Sequence, residues 1–418
     1  MSVDKRDGSP TAFRAPQTSA QKGATDWPAK LQKAGLFTAF AGMGGTASII
    51  PAIIPLTAHN ANSPMQEYLG AIPALFFGLM TGVLLSTLLL RSLTVVAILS
   101  AGSVLQAAAL LALTLAPGGP AFATGALAAG LGFGLCEASG SILARTLAEE
   151  QTAGLLSALT GTVAVVAALG PLLVAAGLLG QNAAPLLMAV ALSHAATVAL
   201  LLVTRRSVGE RADAALPPQS PGSGKGRLFF LLAPVSAALF LYVGIETIFA
   251  GWSAVIPAEA LALDATAAAA GTSVFWVLMA MGRYSTWFIL KTRVTSSTVL
   301  IFACSAAALC LAAAGFLRHS HPAAALIMTG IAVICLGPMY SLVLGIALAR
   351  VEVQDAKKAV GLLVACGAAG GAFIPASVLA FTPRPGSSGV FLVAAALAAA
   401  MLPLVIRPRH AHIHSPTP

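Results

Sequence analysis

Twelve apolar runs, each at least 18 residues long, dominate this chain. They lie at 34–57, 68–90, 93–115, 121–144, 154–178, 184–203, 228–256, 267–290, 295–316, 323–349, 359–381 and 389–406. About 20 helical residues cross the hydrocarbon core of a bilayer. Lipid offers no partner to a bare backbone amide, so runs of this kind fold as helices. The expected fold is an all-α integral membrane protein with 12 transmembrane helices. Composition agrees. Hydrophobic residues make up 58% of the chain and charged residues 9%, against about 25% charged in a soluble domain. With 23 Lys and Arg and 14 Asp and Glu, the chain cannot cover a water-facing surface. The same figures exclude a disordered chain, a collagen, a coiled coil and a disulfide scaffold.

Charge sets the expected orientation. The net charge of +9 resides in loops and tails. That speaks against nucleic acid as a partner and for the lipid bilayer. With residue 1 in the cytoplasm, inner segments hold 20 basic residues and outer loops only Arg318 and Arg384. This bias puts both termini in the cytoplasm. Residues 1–33 are polar with six Lys/Arg; they read as a cytoplasmic N-terminal tail rather than a signal peptide, because the apolar run that follows is too long. Residues 34–203 hold six spans, and 228–406 hold six more. Between them, 204–227 is rich in Pro, Gly, Ser and charge and reads as a cytoplasmic linker. Residues 407–418, with His410, His412 and His414, read as a solvated C-terminal tail. Ala/Gly-rich, Lys-poor usage points to a bacterial inner membrane.

Other functional classes leave no mark. The five Cys lie in apolar runs without metal-ligand spacing, and His194 is the one His within a span, so no metal and no cofactor are expected. There is no H-E-x-x-H, no G-x-S-x-G and no Walker-type phosphate loop, which argues against an intramembrane hydrolase and an ATP-driven pump. No filter loop or charged ring suggests a channel. The expectation is a non-enzyme.

The two halves of the sequence repeat. Leu143-Ala144-Arg145 and, after a short charged loop, Gly154-Leu155-Leu156 have counterparts in Leu348-Ala349-Arg350 and Gly361-Leu362-Leu363. GVLLSTLLLR, from Gly82 to Arg91, is matched by GRYSTWFILK, from Gly282 to Lys291. Parallel repeats of this kind place a solute site between two pseudo-symmetric six-helix bundles. On these repeats and on its local motifs the chain resembles the major facilitator superfamily, and most nearly its fucose–proton symporter-like branch. The motifs are Tyr242-Val243-Gly244-Ile245-Glu246 with Trp252, Phe275-Trp276 with Gly282-Arg283, Gly132-Phe133-Gly134 with Glu137, Leu169-Gly170-Pro171, and Gly337-Pro338. The resemblance implies a monomeric secondary transporter working by alternating access, with protons and a small polar solute as partners. Symport of a sugar-like solute is the first expectation; proton-coupled export of a drug, siderophore or other small metabolite is the alternative. Two features depart from the family pattern. The region between spans two and three keeps only Ser86 and Arg91 of its usual charged motif, and the first span has no acid.

Three charged residues fall within spans: Glu137, Glu246 and Arg283. At a lipid-facing helix centre each would cost roughly 2.5–3.5 kcal/mol or more, so each is a candidate for a cavity or a partner. A carboxyl group in a low-dielectric cleft holds its proton more firmly and releases it when water returns. Glu137 and Glu246 are therefore candidate proton-coupling residues, with a fixed salt bridge or hydrogen bond as the structural alternative for Glu137. Tyr242 lies one helical turn before Glu246, and Trp252 follows it. An aromatic face beside a carboxylate suits a sugar or an amphipathic cation; for Trp252 the alternative is an anchor at the membrane interface. Arg283 has three open uses: neutralising an acid, binding an anionic group of the solute, or reaching to the inner surface as part of a gate. Trp276 lies two turns before it. Tyr340, just past Pro338, lines the cavity or packs in the core. Arg145 and Glu150 after span four and Arg350 and Asp355 after span ten occupy equivalent places; they are candidates for an inner gate or simply for topology-setting charge.

Overall fold

The computed structural model describes residues 19–115, 118–148, 152–177, 182–203, 225–348, 351 and 356–406. Every regular element among them is a helix. In chain order these are α1 (Ser19–Asn60), α2 (Ala71–Leu89), α3 (Val95–Leu113), α4 (Gly119–Ala148), α5 (Thr152–Ala175), α6 (Ala184–Val203), α7 (Lys225–Gly251), α8 (Val255–Leu261), α9 (Ala270–Ile289), α10 (Ser296–Leu317), α11 (Pro322–Leu336), α12 (Met339–Leu348), α13 (Ala356–Phe381) and α14 (Ser388–Ile406). Eleven segments among the described residues are long and apolar enough to cross a membrane. They fall on eleven of the twelve expected runs. The remaining run, 267–290, forms α9, a helix of 20 residues that carries Arg283. The chain is thus a multi-pass membrane protein. Helix α1 starts at Ser19, so the end of the expected polar tail 1–33 is already helical. Residues 204–224 of the expected linker and the tail 407–418 lie outside the described residues.

Two expected spans are broken. The run 228–256 appears as α7 and α8, separated by a turn at residues 252–254, and the run 323–349 appears as α11 and α12. Proline explains both breaks. Pro338 has no N–H to give to the preceding turn, so α11 stops at Leu336. Pro257 lies in the first turn of α8, where the N–H groups have no helical partner in any case.

The helix starts repeat as the sequence does. Thr94 Oγ1 accepts the Ala97 N–H at 3.2 Å, and Thr295 Oγ1 accepts the Thr298 N–H at 3.2 Å. These N-caps open α3 and α10 in the same way, and they lie 201 residues apart.

Glycine lets α2 and α4 touch along their backbones. Gly78 and Gly82 of α2 lie against Leu127 and Leu131, and Gly130 and Gly134 of α4 lie against Leu75 and Leu79. A Cβ at these positions would collide with main-chain atoms, so small residues are required for this approach.

Helices α1–α6 pack chiefly on one another, as do α7–α14. The two groups meet where α2 crosses α13 and where α5 crosses α9. Taking the near face as the end where α1 begins, their named contacts lie toward the far face. Gly251 abuts Ile72, Gly371 abuts Phe76, and the Phe77 and Phe373 rings meet edge-on at 4.9 Å. One apolar core runs through both groups and includes Ile53, Leu56, Ile72, Trp252 and Val255. A second core, around Leu36, Phe40, Leu99 and Leu143, belongs to the first group alone and lies toward the near face. Apolar packing therefore joins the groups on the far side.

The α2–α4 contact is open to test. Gly130→Val should destabilise the protein by about 1–3 kcal/mol through overpacking, seen as a lower melting temperature in detergent. Gly161→Ala on α5, where nothing crowds the position, should be neutral or slightly stabilising.

Candidate functional site

The rotational setting of α4 decides where Glu137 points. Gly130 and Gly134 face α2, Gly132 faces Gly102 and Gln106 of α3, and Gly140 faces Phe40 of α1. Cys136 is held on the α3 side by Gln106 Nε2 at 3.4 Å, by Ser103 Oγ at 3.5 Å and by its own bond to the Leu99 carbonyl at 3.5 Å. By the 3.6-residue period, Glu137 then occupies the arc of α4 between the surfaces packed on α1 and α2. The residue is half-buried. Its carboxylate makes no hydrogen bond or ion pair within the described residues, so the fixed salt bridge left open by the sequence is not found there. It lies instead within electrostatic reach of Tyr340, on the other group of helices.

The second acid is paired. Arg283 Nη2 of α9 stands 3.8 Å from Glu246 Oε1 of α7, with the two side chains 38% and 18% exposed. Arg283 Nε donates to the Gly337 carbonyl at 3.3 Å. That carbonyl sits at the α11–α12 break, so the proline that ends α11 also shapes the arginine's surroundings. Of its three open uses, Arg283 thus takes up neutralisation of an acid. The pair is long, and both side chains are partly exposed. Such contacts contribute only about 0–1 kcal/mol, so a solute could displace it without large cost.

Aromatic residues surround the pair. Tyr242 is fully buried one turn from Glu246, and its ring lies 6.2 Å from that of Tyr340 at an angle of 47°. The Tyr340 phenol is within electrostatic reach of Glu137, Glu246 and Arg283 together. Trp276 shares a face of α9 with Arg283 and packs edge-on against Phe275 at 5.6 Å. The Trp276 indole N–H is buried without a hydrogen-bond partner among the described residues, while the Tyr242 hydroxyl is directed at the Glu246 carboxylate, too loosely for a well-formed hydrogen bond. An indole donor and a loosely paired carboxylate thus offer hydrogen bonds to a polar molecule.

The structure brings together five of the expected residues: Glu137, Tyr242, Glu246, Arg283 and Tyr340. Trp276 lies two turns from Arg283 on the same helix, with its ring against Phe275. Trp252 stands apart. It is fully buried at the α7–α8 turn, in the core shared by both groups, and not on a membrane-facing rim. Arg145 lies in α4, but its side chain is not described; Glu150, Arg350 and Asp355 lie outside the described residues. Among the described residues no cluster of three His, Cys, Asp or Glu side chains could hold a metal ion.

Several polar contacts escaped the sequence reading. Thr46 Oγ1 and His194 Nε2 meet at 3.2 Å between α1 and α6. Gln106 in the third span was a legible signal, being a polar residue in an apolar run. On the far face, Glu259 Oε2 accepts the Gly386 N–H at 3.0 Å, and Arg318 Nε donates to the Gly386 carbonyl at 2.6 Å. Burial pushes the Glu259 carboxyl above its ordinary range, against the opposing pull of Gly386, Arg318 and Arg384.

The chain matches none of the protein-family models and none of the curated proteins with which it was compared. Solved structures resemble it along most of its length. A variant of the nucleoside transporter NupG superposes with a TM-score of 0.67 at 12% identity, covering 90% of this chain and 98% of that one. A variant of the peptide transporter POT gives a TM-score of 0.68 at 15% identity, covering 90% and 92%. The same transporter in complex with alafosfalin gives 0.68 at 14% identity, covering 90% and 94%. At such identity the likeness shows the fold alone: the all-helical fold that these solved transporter structures share.

The ion pair can be weighed directly. Arg283→Ala and Glu246→Gln, alone and together, form a double-mutant cycle whose coupling in thermal unfolding should be no more than about 1 kcal/mol. A coupling of several kcal/mol would mark a structural bridge instead of a displaceable one.

Proposed function

We propose that this protein is a secondary active transporter that moves a small polar, sugar-like solute together with protons across a bacterial inner membrane, as a monomer. The observation that carries this reading is the Arg283–Glu246 pair of one helix group, beside Tyr340, which is also within electrostatic reach of Glu137 on the other group. Ionisable groups at membrane depth are expensive and mark solute or ion pathways. A seam between helix repeats, lined by broken helices, is where transporters bind their cargo.

The two acids take different parts. Arg283 already balances the charge of Glu246, while Glu137 has no cation beside it among the described residues. The uncompensated carboxylate has most to gain from a proton when water is excluded. Glu137 thus carries the proton, and Glu246 contributes mainly to holding the solute. Tyr242, Trp276 and Tyr340 offer hydroxyl, indole and ring faces to the solute, Arg283 is released from Glu246 as the solute binds, and Trp252 supports the site from the far-side seal. Arg145, Glu150, Arg350 and Asp355 form the opposite gate.

Transport follows from alternating which side is sealed. Two bundles, 34–203 and 228–406, rock about the site, and their linker 204–227 leaves them free to move. The apolar contacts of Ile72, Phe76 and Phe77 with Gly251, Gly371 and Phe373 close the far side. With both termini in the cytoplasm, this is the conformation whose outer side is closed. Proton and solute shift the balance between conformations by binding one better than the other. The fucose–proton symporter-like branch fits this scheme, and the Trp276 indole N–H with the Glu246 carboxylate suits a hydroxylated solute.

Uptake of a panel of labelled sugars into cells with and without the gene gives the direction; uptake lost with the gene supports import, while greater accumulation without it points to export. Glu137→Gln should abolish accumulation driven by a pH gradient and spare exchange of the transported sugar; accumulation at the normal level would refute the proton role. Glu246→Ala should weaken binding of that sugar by about tenfold, the scale of one charge-assisted hydrogen bond; unchanged affinity of the purified protein would remove Glu246 from the site.

A further inference from the structure

A cavity of about 270 Å³ lies in the second helix group, away from all the charged residues of the central site. Its walls come from the end of α7, the α7–α8 turn, α8, the first part of α9 and the middle of α11, and include Phe249, Ile256, Val274, Phe275, Gly330 and Val333. Two hydroxyls reach the wall, and both are already engaged. Ser253 Oγ meets the Ala250 carbonyl at 2.6 Å and Thr272 Oγ1 at 2.8 Å. Thr329 Oγ1 donates to the Ala325 carbonyl at 2.7 Å. The space therefore has little to offer a polar solute or a water molecule, which needs two or more polar partners. An apolar cavity of roughly 150 Å³ already stays dry and takes up a molecule the size of benzene.

The mouth of the cavity identifies the occupant. Val274, on its wall, is 53% exposed, and the neighbouring Val277, Ile327 and Ile331 are 47%, 62% and 40% exposed. All are apolar, and all lie on α9 and α11 at the depth of the far leaflet. The cavity is thus an indentation continuous with the lipid-facing surface of a multi-pass protein. Its deep walls are closed: Phe249, Ile256 and Val333 are only 2–3% exposed. Glycine makes the room. A Cβ on Gly330 would meet only Leu278 Cδ1, at 3.3 Å, so a longer side chain there would extend into the space.

We infer that this cavity is a binding site for one acyl chain of a membrane phospholipid from the far leaflet. The chain inserts between α9 and α11 and packs beneath the α7–α8 turn. It thereby supports the segment from Gly251 to Pro257, which includes the buried Trp252 and helps to seal the far side.

The test uses the whole protein in vesicles of phosphatidylcholine that carries a diazirine on its acyl chain. After illumination, the labelled residues are mapped by mass spectrometry. Bulk lipid reaches exposed positions such as Phe302 and Leu309, 71% and 72% exposed, and these serve as the internal standard. Label on Phe249, Ile256 and Val333 is expected in the native protein. Gly330→Leu should lose the label on those three residues and keep it at Phe302 and Leu309. Label at Phe302 and Leu309 with none on the three wall residues would overturn the proposal, as would wall label that persists in Gly330→Leu. The map of the native protein decides alone if the variant fails to fold.

Discussion

The contact between Arg283 and Glu246 lies where three segments meet that hydrophobicity alone would not hold in place: α7, α9 and the α11–α12 break. The guanidinium is shared between a carboxylate at 3.8 Å and a main-chain carbonyl at 3.3 Å. Neither contact is short, and Arg283 keeps more than a third of its surface exposed. A membrane interior normally demands complete compensation of charge. Loose compensation fits a place where water or a solute completes the shell. On the proposed reading, the same site combines a necessity of folding with a capacity for binding.

The surrounding scaffold divides its energetic roles by position. Between α2 and α4, glycines bring backbones together and leave little freedom. Toward the far face, rings and aliphatic side chains join the two helix groups in a common core, and toward the near face the first group keeps a core of its own. Apolar contact between groups carries no hydrogen-bond geometry to break and re-form, so such surfaces can separate and re-close as units. In this account the rigid contacts lie within each group and the reversible ones between them.

Much of the fold was legible because lipid imposes a simple rule. Eleven of twelve apolar runs correspond to helices long enough to span, and the repeated Thr94 and Thr295 caps follow the repeat seen in the sequence. The breaks in 228–256 and 323–349 were not foreseen as ends of helices, since hydropathy averages over the backbone, although Pro257 and Pro338 marked both places. The candidate residues were legible one at a time, by their cost in lipid. Their pairing was not. Arg283 had three uses, and the choice of Glu246 over Glu137 depends on which helices adjoin, which no local spacing encodes. Trp252 was ambiguous for the same reason: its neighbours in sequence allow a solute contact or a rim, whereas the fold buries it in the core shared by both helix groups. The orientation of Glu137 depends on Cys136, Gln106 and the glycines of α4, a set of contacts spread over three helices.

The central claim is that Glu137 and Glu246 face a common aqueous crevice between the two helix groups. Thiol accessibility measures this directly. In a background without native cysteines, Glu137→Cys, Glu246→Cys and, as a lipid-facing reference, Leu309→Cys would be exposed to a water-soluble, membrane-impermeant thiol reagent from each side of sealed vesicles. The account predicts that positions 137 and 246 react from the near side and that position 309 stays inert. Positions 137 and 246 as unreactive as 309 from both sides would contradict it.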